Sequence, residues 1–104
     1  SVTAVGDTPG AGSFALFGAA PNPFNPMTTI AFNLPRSETV NLRVYDISGR
    51  VVRSLLVGET ANAGRNEVVW NGRDDSERAV ASGVYFYRLE TSRDQAHGRM
   101  TLVK

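Results

Sequence analysis

The chain has 104 residues, 41% of them hydrophobic and 20% charged, with a formal charge of +1. That length suits one domain with a single core, burying roughly 65% of the surface the unfolded chain exposes. The absence of cysteine and the single histidine exclude disulfide frameworks, thiolate catalysis and cysteine-held metals. Eleven basic residues against ten acidic ones create no field to gather nucleic acid or anionic lipid. No independent enzyme and no cofactor are expected from this inventory.

Residues 1–35 carry one charged side chain, Asp7, and residues 36–104 carry all the others. The arginines are spread from Arg36 to Arg99, as on solvated strand faces and turns and not as a nucleic-acid stripe. No segment approaches the roughly 18 consecutive apolar residues of a membrane helix. If the parent protein is exported, its signal is expected upstream of Ser1.

Residues 1–13, SVTAVGDTPGAGS, have the glycine, proline and small polar composition of a flexible linker, and residues 14–104 form the expected domain. Phe14 to Ala20 is a short strand candidate. Pro21-Asn-Pro-Phe-Asn-Pro26 then breaks any ladder, because proline fixes φ and holds the preceding residue extended. Phe24, the only large apolar residue there, is expected to plug one end of the core.

From residue 28 the pattern has period two. Ile30, Phe32 and Leu34 share one face, and Val40, Leu42 and Val44 alternate with polar neighbours, as in half-buried antiparallel strands. Asp46-Ile-Ser-Gly-Arg50 reads as a turn with a positive φ at Gly49. Val51–Val57 reads as the return strand, its β-branched residues arguing against a helix. A polar loop over 58–64 leads to a strand at 66–70, with Val68 and Trp70 facing the core. Residues 71–75 are rich in turn formers. Gly83–Glu90 is the strongest strand signal, and a turn over 93–98 leads to a last strand at 99–103. About seven short strands separated by turns and no credible helix predict an all-β, immunoglobulin-like antiparallel β-sandwich, with a partly open barrel as the alternative architecture.

Several residues invite chemistry. His97 reads as the tip of a hairpin, with no second histidine or nucleophile motif around it. Asp74 and Asp75, with Glu77 nearby, offer carboxylate oxygens to calcium, but they lack the D-x-D-x-D-G spacing and equally make Asx turns. Tyr85 and Tyr87 share one strand face, where they serve either as core or as a sugar-stacking platform. Phe14, Leu16 and Phe17 belong to an uncharged segment that either completes its own sheet or adds to a neighbouring molecule to build a polymer.

Four motifs occur in order: Pro21-Asn-Pro23 with Thr28-Thr-Ile-Ala-Phe-Asn-Leu-Pro35; Val44-Tyr-Asp-Ile-Ser-Gly-Arg-Val-Val52; Gly83-Val-Tyr85; and Arg99-Met-Thr-Leu-Val-Lys104. Together they resemble the C-terminal sorting domain (type A) of the type IX secretion system. The related immunoglobulin-like domain of the flagellar hook-capping protein shares the stretches at residues 71–75 and 82–87. The resemblance spans residues 21–104. It implies a non-enzymatic module behind an upstream cargo domain, recognised by the outer-membrane translocon and a sortase. The cargo would pass through the periplasm to the cell surface or beyond, without nucleic acid as a partner. The positions matching the motifs are Pro21, Asn22, Pro23, Gly49, Arg50, Gly83, Tyr85 and Lys104, and the glycines among them also serve as plain turn residues.

Overall fold

The structure is a computed structural model that describes residues 12–104. Apart from Gly12 and Ser13, the expected linker lies outside the described residues. Seven strands follow in order: β1 (Ala15–Ala20), β2 (Thr28–Leu34), β3 (Glu38–Tyr45), β4 (Val51–Ala61), β5 (Gly64–Trp70), β6 (Gly83–Glu90) and β7 (Gln95–Leu102). They form two antiparallel sheets, β1-β2-β5 and β4-β3-β6-β7. The two sheets stack as an immunoglobulin-like sandwich, not as an open barrel.

Alternation decides the faces. Ile30, Phe32 and Leu34 from one sheet meet Val40, Leu42, Val44, Leu89, Met100 and Leu102 from the other, and all are essentially sealed from solvent. Burial of each such side chain stabilises the fold by about 1.5–3 kcal/mol before entropy is counted. Trp70 closes one end of this core. Its ring lies 5.6 Å from that of Phe24 and 5.4 Å, edge-on, from that of Tyr85, and its indole N–H donates to the Arg73 carbonyl at 2.9 Å. Phe24 is the expected plug.

Tyr85 and Tyr87 both point into the sandwich, which removes the pair as a sugar platform. The Tyr85 hydroxyl donates to the Ala81 carbonyl at 2.6 Å, the tyrosine corner of immunoglobulin-like sandwiches. The Tyr87 ring occupies the space over Gly98, where any β-carbon would collide with it. Its hydroxyl reaches the backbone of Ala19 in the opposite sheet. Gly98 therefore leaves room for an aromatic side chain that ties β6 to β1.

The structure departs from the sequence expectation at two places and decides a third that was open. β4 continues through Glu59, Thr60 and Ala61, which read as loop, because Glu38, Thr39 and Val40 offer them partners. Gly58, with φ +60°, and the Asn41 side chain, accepting from its N–H at 2.9 Å, absorb the irregular register there. His97 is not at a hairpin tip: it lies within β7 opposite Arg88, and the tip is Thr91–Asp94, closed by Thr91 N–H to Asp94 O at 2.8 Å. The segment read as a possible donor strand pairs within its own chain, β1 against β2. Phe14 and Leu16 pack on the core. A bulge between Leu16 and Gly18 turns Phe17 outward, 57% exposed and under the Arg65 guanidinium. Of the two arrangements open to Phe14, Leu16 and Phe17, the segment therefore takes the one that completes its own sheet.

Candidate functional site

Strand direction gathers the motifs. β3 ends at Tyr45 opposite Phe86 and Val51; β6 begins at Gly83 opposite Leu102; β2 begins at Thr28 opposite Trp70. The segments 21–27, 46–50 and 71–82 and the last residues of the chain therefore share one end of the sandwich. The chain comes into β1 at the other end, where Ala15 pairs with Asn33 and the Asn33 amide donates to the Ser13 carbonyl. An eight-residue strand such as β6 separates the two ends by about 26 Å.

The first and last motifs are stitched together. Asn22 uses its side chain as a substitute peptide group: its amide donates to Arg99 O at 3.2 Å and its oxygen accepts from Thr101 N–H at 3.0 Å. Phe24 continues the pairing, donating to Thr101 O and accepting from Val103 N–H, each at 2.9 Å. The free edge of β7 is thus covered over its final residues, which protects it from pairing with a foreign strand. Pro21, Asn22 and Pro23 remain exposed around this stitch, and the Pro21 carbonyl accepts from the buried Thr28 hydroxyl at 2.8 Å.

The second motif is organised by Asp46. One carboxylate oxygen accepts from Ser48 N–H at 2.9 Å, the Ser48 hydroxyl at 2.6 Å and Arg50 N–H at 3.1 Å. The Ser48 hydroxyl foremost, then the Arg50 N–H, hold the carboxyl below its ordinary range. Gly49 takes φ +88° to close this loop, and the Arg50 side chain projects into solvent. Burial, and secondarily the charge of Asp46, push the Tyr85 hydroxyl upward. The signal for Asp46 was present in Asp-x-Ser-Gly-Arg, an Asx-turn pattern.

The loop 71–82 uses its carboxylates for structure. Asp74 accepts from Ser76 N–H and Arg78 N–H, both at 2.9 Å. Asp75 accepts from Ser54 N–H at 2.9 Å and its own N–H donates to Val52 O at 3.0 Å, so the loop covers the first half of β4's free edge. Arg53 reaches Glu77 at 2.8 Å and the Asp74 carbonyl at 2.9 Å. These contacts engage one oxygen of each carboxylate, and no cluster of three or more metal-ligating side chains occurs among the described residues. Gly72 sits at φ +72° with its α-carbon so close to the Pro26 carbonyl that a β-carbon would lie 2.9 Å from it. That contact clamps the loop to the proline segment.

Of the motif positions, Tyr85 is buried scaffold, Gly83 is half-buried, and Pro21, Asn22, Pro23, Gly49, Arg50 and Lys104 are exposed at the same end. The FlgD Ig-like domain family matches residues 25–95. The chain belongs to that family. This FlgD Ig-like domain is similar in structure to the dimeric latent PorU of Porphyromonas gingivalis, with a TM-score of 0.67 and 24% identity over 86% of this chain and 9% of that one. It is similar also to PorZ of the same organism, described as an essential bacterial surface component of the type-IX secretion system (TM-score 0.59, 23% identity, 86% of this chain and 12% of that one). FlgD of P. aeruginosa is a third similar structure, with a TM-score of 0.61 and 24% identity over 91% of this chain and 74% of that one. At these identities the likeness is one of fold, and the chain spans a small part of PorU and PorZ. None of the curated proteins compared with the chain matches it.

Proposed function

We propose that this domain is a non-enzymatic sorting and anchoring module, directing an upstream cargo domain across the outer membrane through the type IX secretion system. The observation that carries the reading is the gathering of Pro21-Asn-Pro23, the 46–50 turn, the start of β6 at Gly83 and the last residues of the chain at one end of the sandwich, away from the end at which the chain enters. A cargo joined through the N-terminal segment would leave that motif-bearing end free for a translocon and a sortase. The sandwich would serve as a rigid carrier for an exposed proline segment, a tight turn and a terminal strand. Its own chemistry is not required in this reading, and the carboxylates at this end are committed to backbone donors.

The test is a fusion of residues 1–104 behind a periplasmic reporter in a host with type IX secretion. The fusion is expected in the medium or on the cell surface, and retention in the periplasm overturns the reading. Deleting 99–104 would remove part of β7 and confound export with folding. The sharper variants are Arg50→Ala and Lys104→Ala, whose side chains are solvent-exposed. They are expected to lower export while leaving the thermal transition unchanged.

A further inference from the structure

The outer face of the four-stranded sheet has a composition that the core does not require. Across β3, β6 and β7, Tyr45, Phe86 and Arg99 lie side by side, and the next row is Arg43, Arg88 and His97. Phe86 is 37% exposed and Ile47, in the adjoining turn, 77%. A groove of about 440 Å³ runs between them, within the size range of binding sites and lined mainly by apolar groups with a few polar ones.

Positive charge predominates on this face. Arg43 and Arg88 stand directly opposite each other, an unfavourable arrangement in a sheet, and share a single carboxylate, Glu90, at 3.9 Å and 3.1 Å. Arg99 has no carboxylate within 4.0 Å among the described residues. Asp46, the acid at the groove's end, is committed to its own turn. Three guanidinium groups therefore face one available carboxylate around an apolar centre. A phosphate polymer would gain little from so few cations, whereas an acidic peptide with an apolar anchor matches both features.

We propose that this face is the docking surface for an acidic, extended segment of the export receptor, whose aliphatic or aromatic side chain seats between Tyr45, Ile47 and Phe86 while its carboxylates meet Arg88 and Arg99. The identity of the partner rests on the sorting reading; the docking chemistry does not. The groove adjoins the Asp46–Arg50 turn, so a receptor gripping the motif-bearing end would extend onto it without a gap.

The test is a titration of the isotope-labelled full chain with a synthetic peptide alternating glutamate with leucine and phenylalanine, followed by amide chemical shifts. Shifts are expected at residues 45–49, 86–88 and 97–99. Binding should weaken about tenfold or more in Arg88→Glu/Arg99→Glu, in Phe86→Ala and with lysine replacing glutamate in the peptide. An unchanged amide dispersion would show that each variant folds, and Arg99→Gln supplies a milder variant if the double reversal does not. No shifts, shifts confined to other faces, equal binding of the lysine peptide, or stronger binding of oligogalacturonate or phosphatidylglycerol vesicles at the same residues would overturn the proposal. In the export assay, a wild-type fusion that is exported with the Arg99→Gln fusion equally exported would overturn this inference alone. A wild-type fusion retained in the periplasm would overturn the sorting reading, and the titration would still decide the docking surface.

Discussion

The two ends of the sandwich are built differently. At the motif-bearing end, loops 21–27, 46–50 and 71–82 are held by side chains that stand in for backbone: Asn22 on β7, Asp46 on its turn, Asp75 on β4. Trp70, Phe24 and Tyr85 pack beneath them. At the opposite end, residues 35–37, 62–63 and 91–94 connect strands by short turns, fastened by contacts such as Thr91 with Asp94 and Asn66 with Asn62. Short turns already hold the strands together, so the extra chain and polar fastening at the first end serve to give long loops one shape. A rigid presentation costs a partner less ordering entropy on binding, as the proposed sorting role requires of this end.

Perturbing matched positions at the two ends should separate them. Trp70→Ala removes the side chain that meets Phe24 and the Arg73 carbonyl beneath two of these loops and should cost about 3–5 kcal/mol, read by chemical denaturation, whereas Ser92→Ala at the opposite end should stay within about 0.5 kcal/mol. Equal losses would abolish the distinction. Tyr85→Phe leaves the Ala81 carbonyl without its donor and should cost about 1–2 kcal/mol, with faster amide exchange in residues 76–82 and not in residues 91–95. Asn22→Ala should cost about 1 kcal/mol, seen chiefly as loss of exchange protection at Thr101; protection that survives would mean that Phe24 alone holds the edge.

The smallest effects are those of pH, with opposite signs for the two kinds of group. Asp46 has a lowered carboxyl pKa in the folded state, so its contribution is present above the ordinary value of about 3.9 and disappears as pH falls through the lower folded value. Amide shifts of Ser48 and Arg50 should report that loss, and Asp46→Asn should remove the dependence. Burial raises Tyr85 and Tyr87, so their contribution is complete below about pH 10 and declines as pH rises from there through the folded values. A thermal transition unchanged between pH 9 and 11 would contradict the buried setting of both hydroxyls.

The sequence by itself determined the fold class, most strand positions and the core. Alternation at Ile30, Phe32 and Leu34, or at Val40, Leu42 and Val44, is a local property of a half-buried strand. It also supplied Trp70 and Phe24 as core residues and Gly49 as a turn. Tertiary structure alone decided what depends on distant partners. β4 extends to Ala61 because β3 offers pairing there, and His97 is in a strand because Arg88 lies across from it. Asp75 serves a backbone donor of β4 because that strand passes beside it, whereas Asp74 closes its own turn. Local composition also could not say which aromatic pair of β6 would face inward, since Val84 and Phe86 alternate with Tyr85 and Tyr87 equally well. Packing resolved it, because Tyr85 has Ala81 and Trp70 to meet and Tyr87 has Gly98 and Ala19. The charge count drew the same boundary. A total of +1 excluded a global field, but the alignment of Arg43, Arg88 and Arg99 beside exposed aromatics exists only once three strands lie in register.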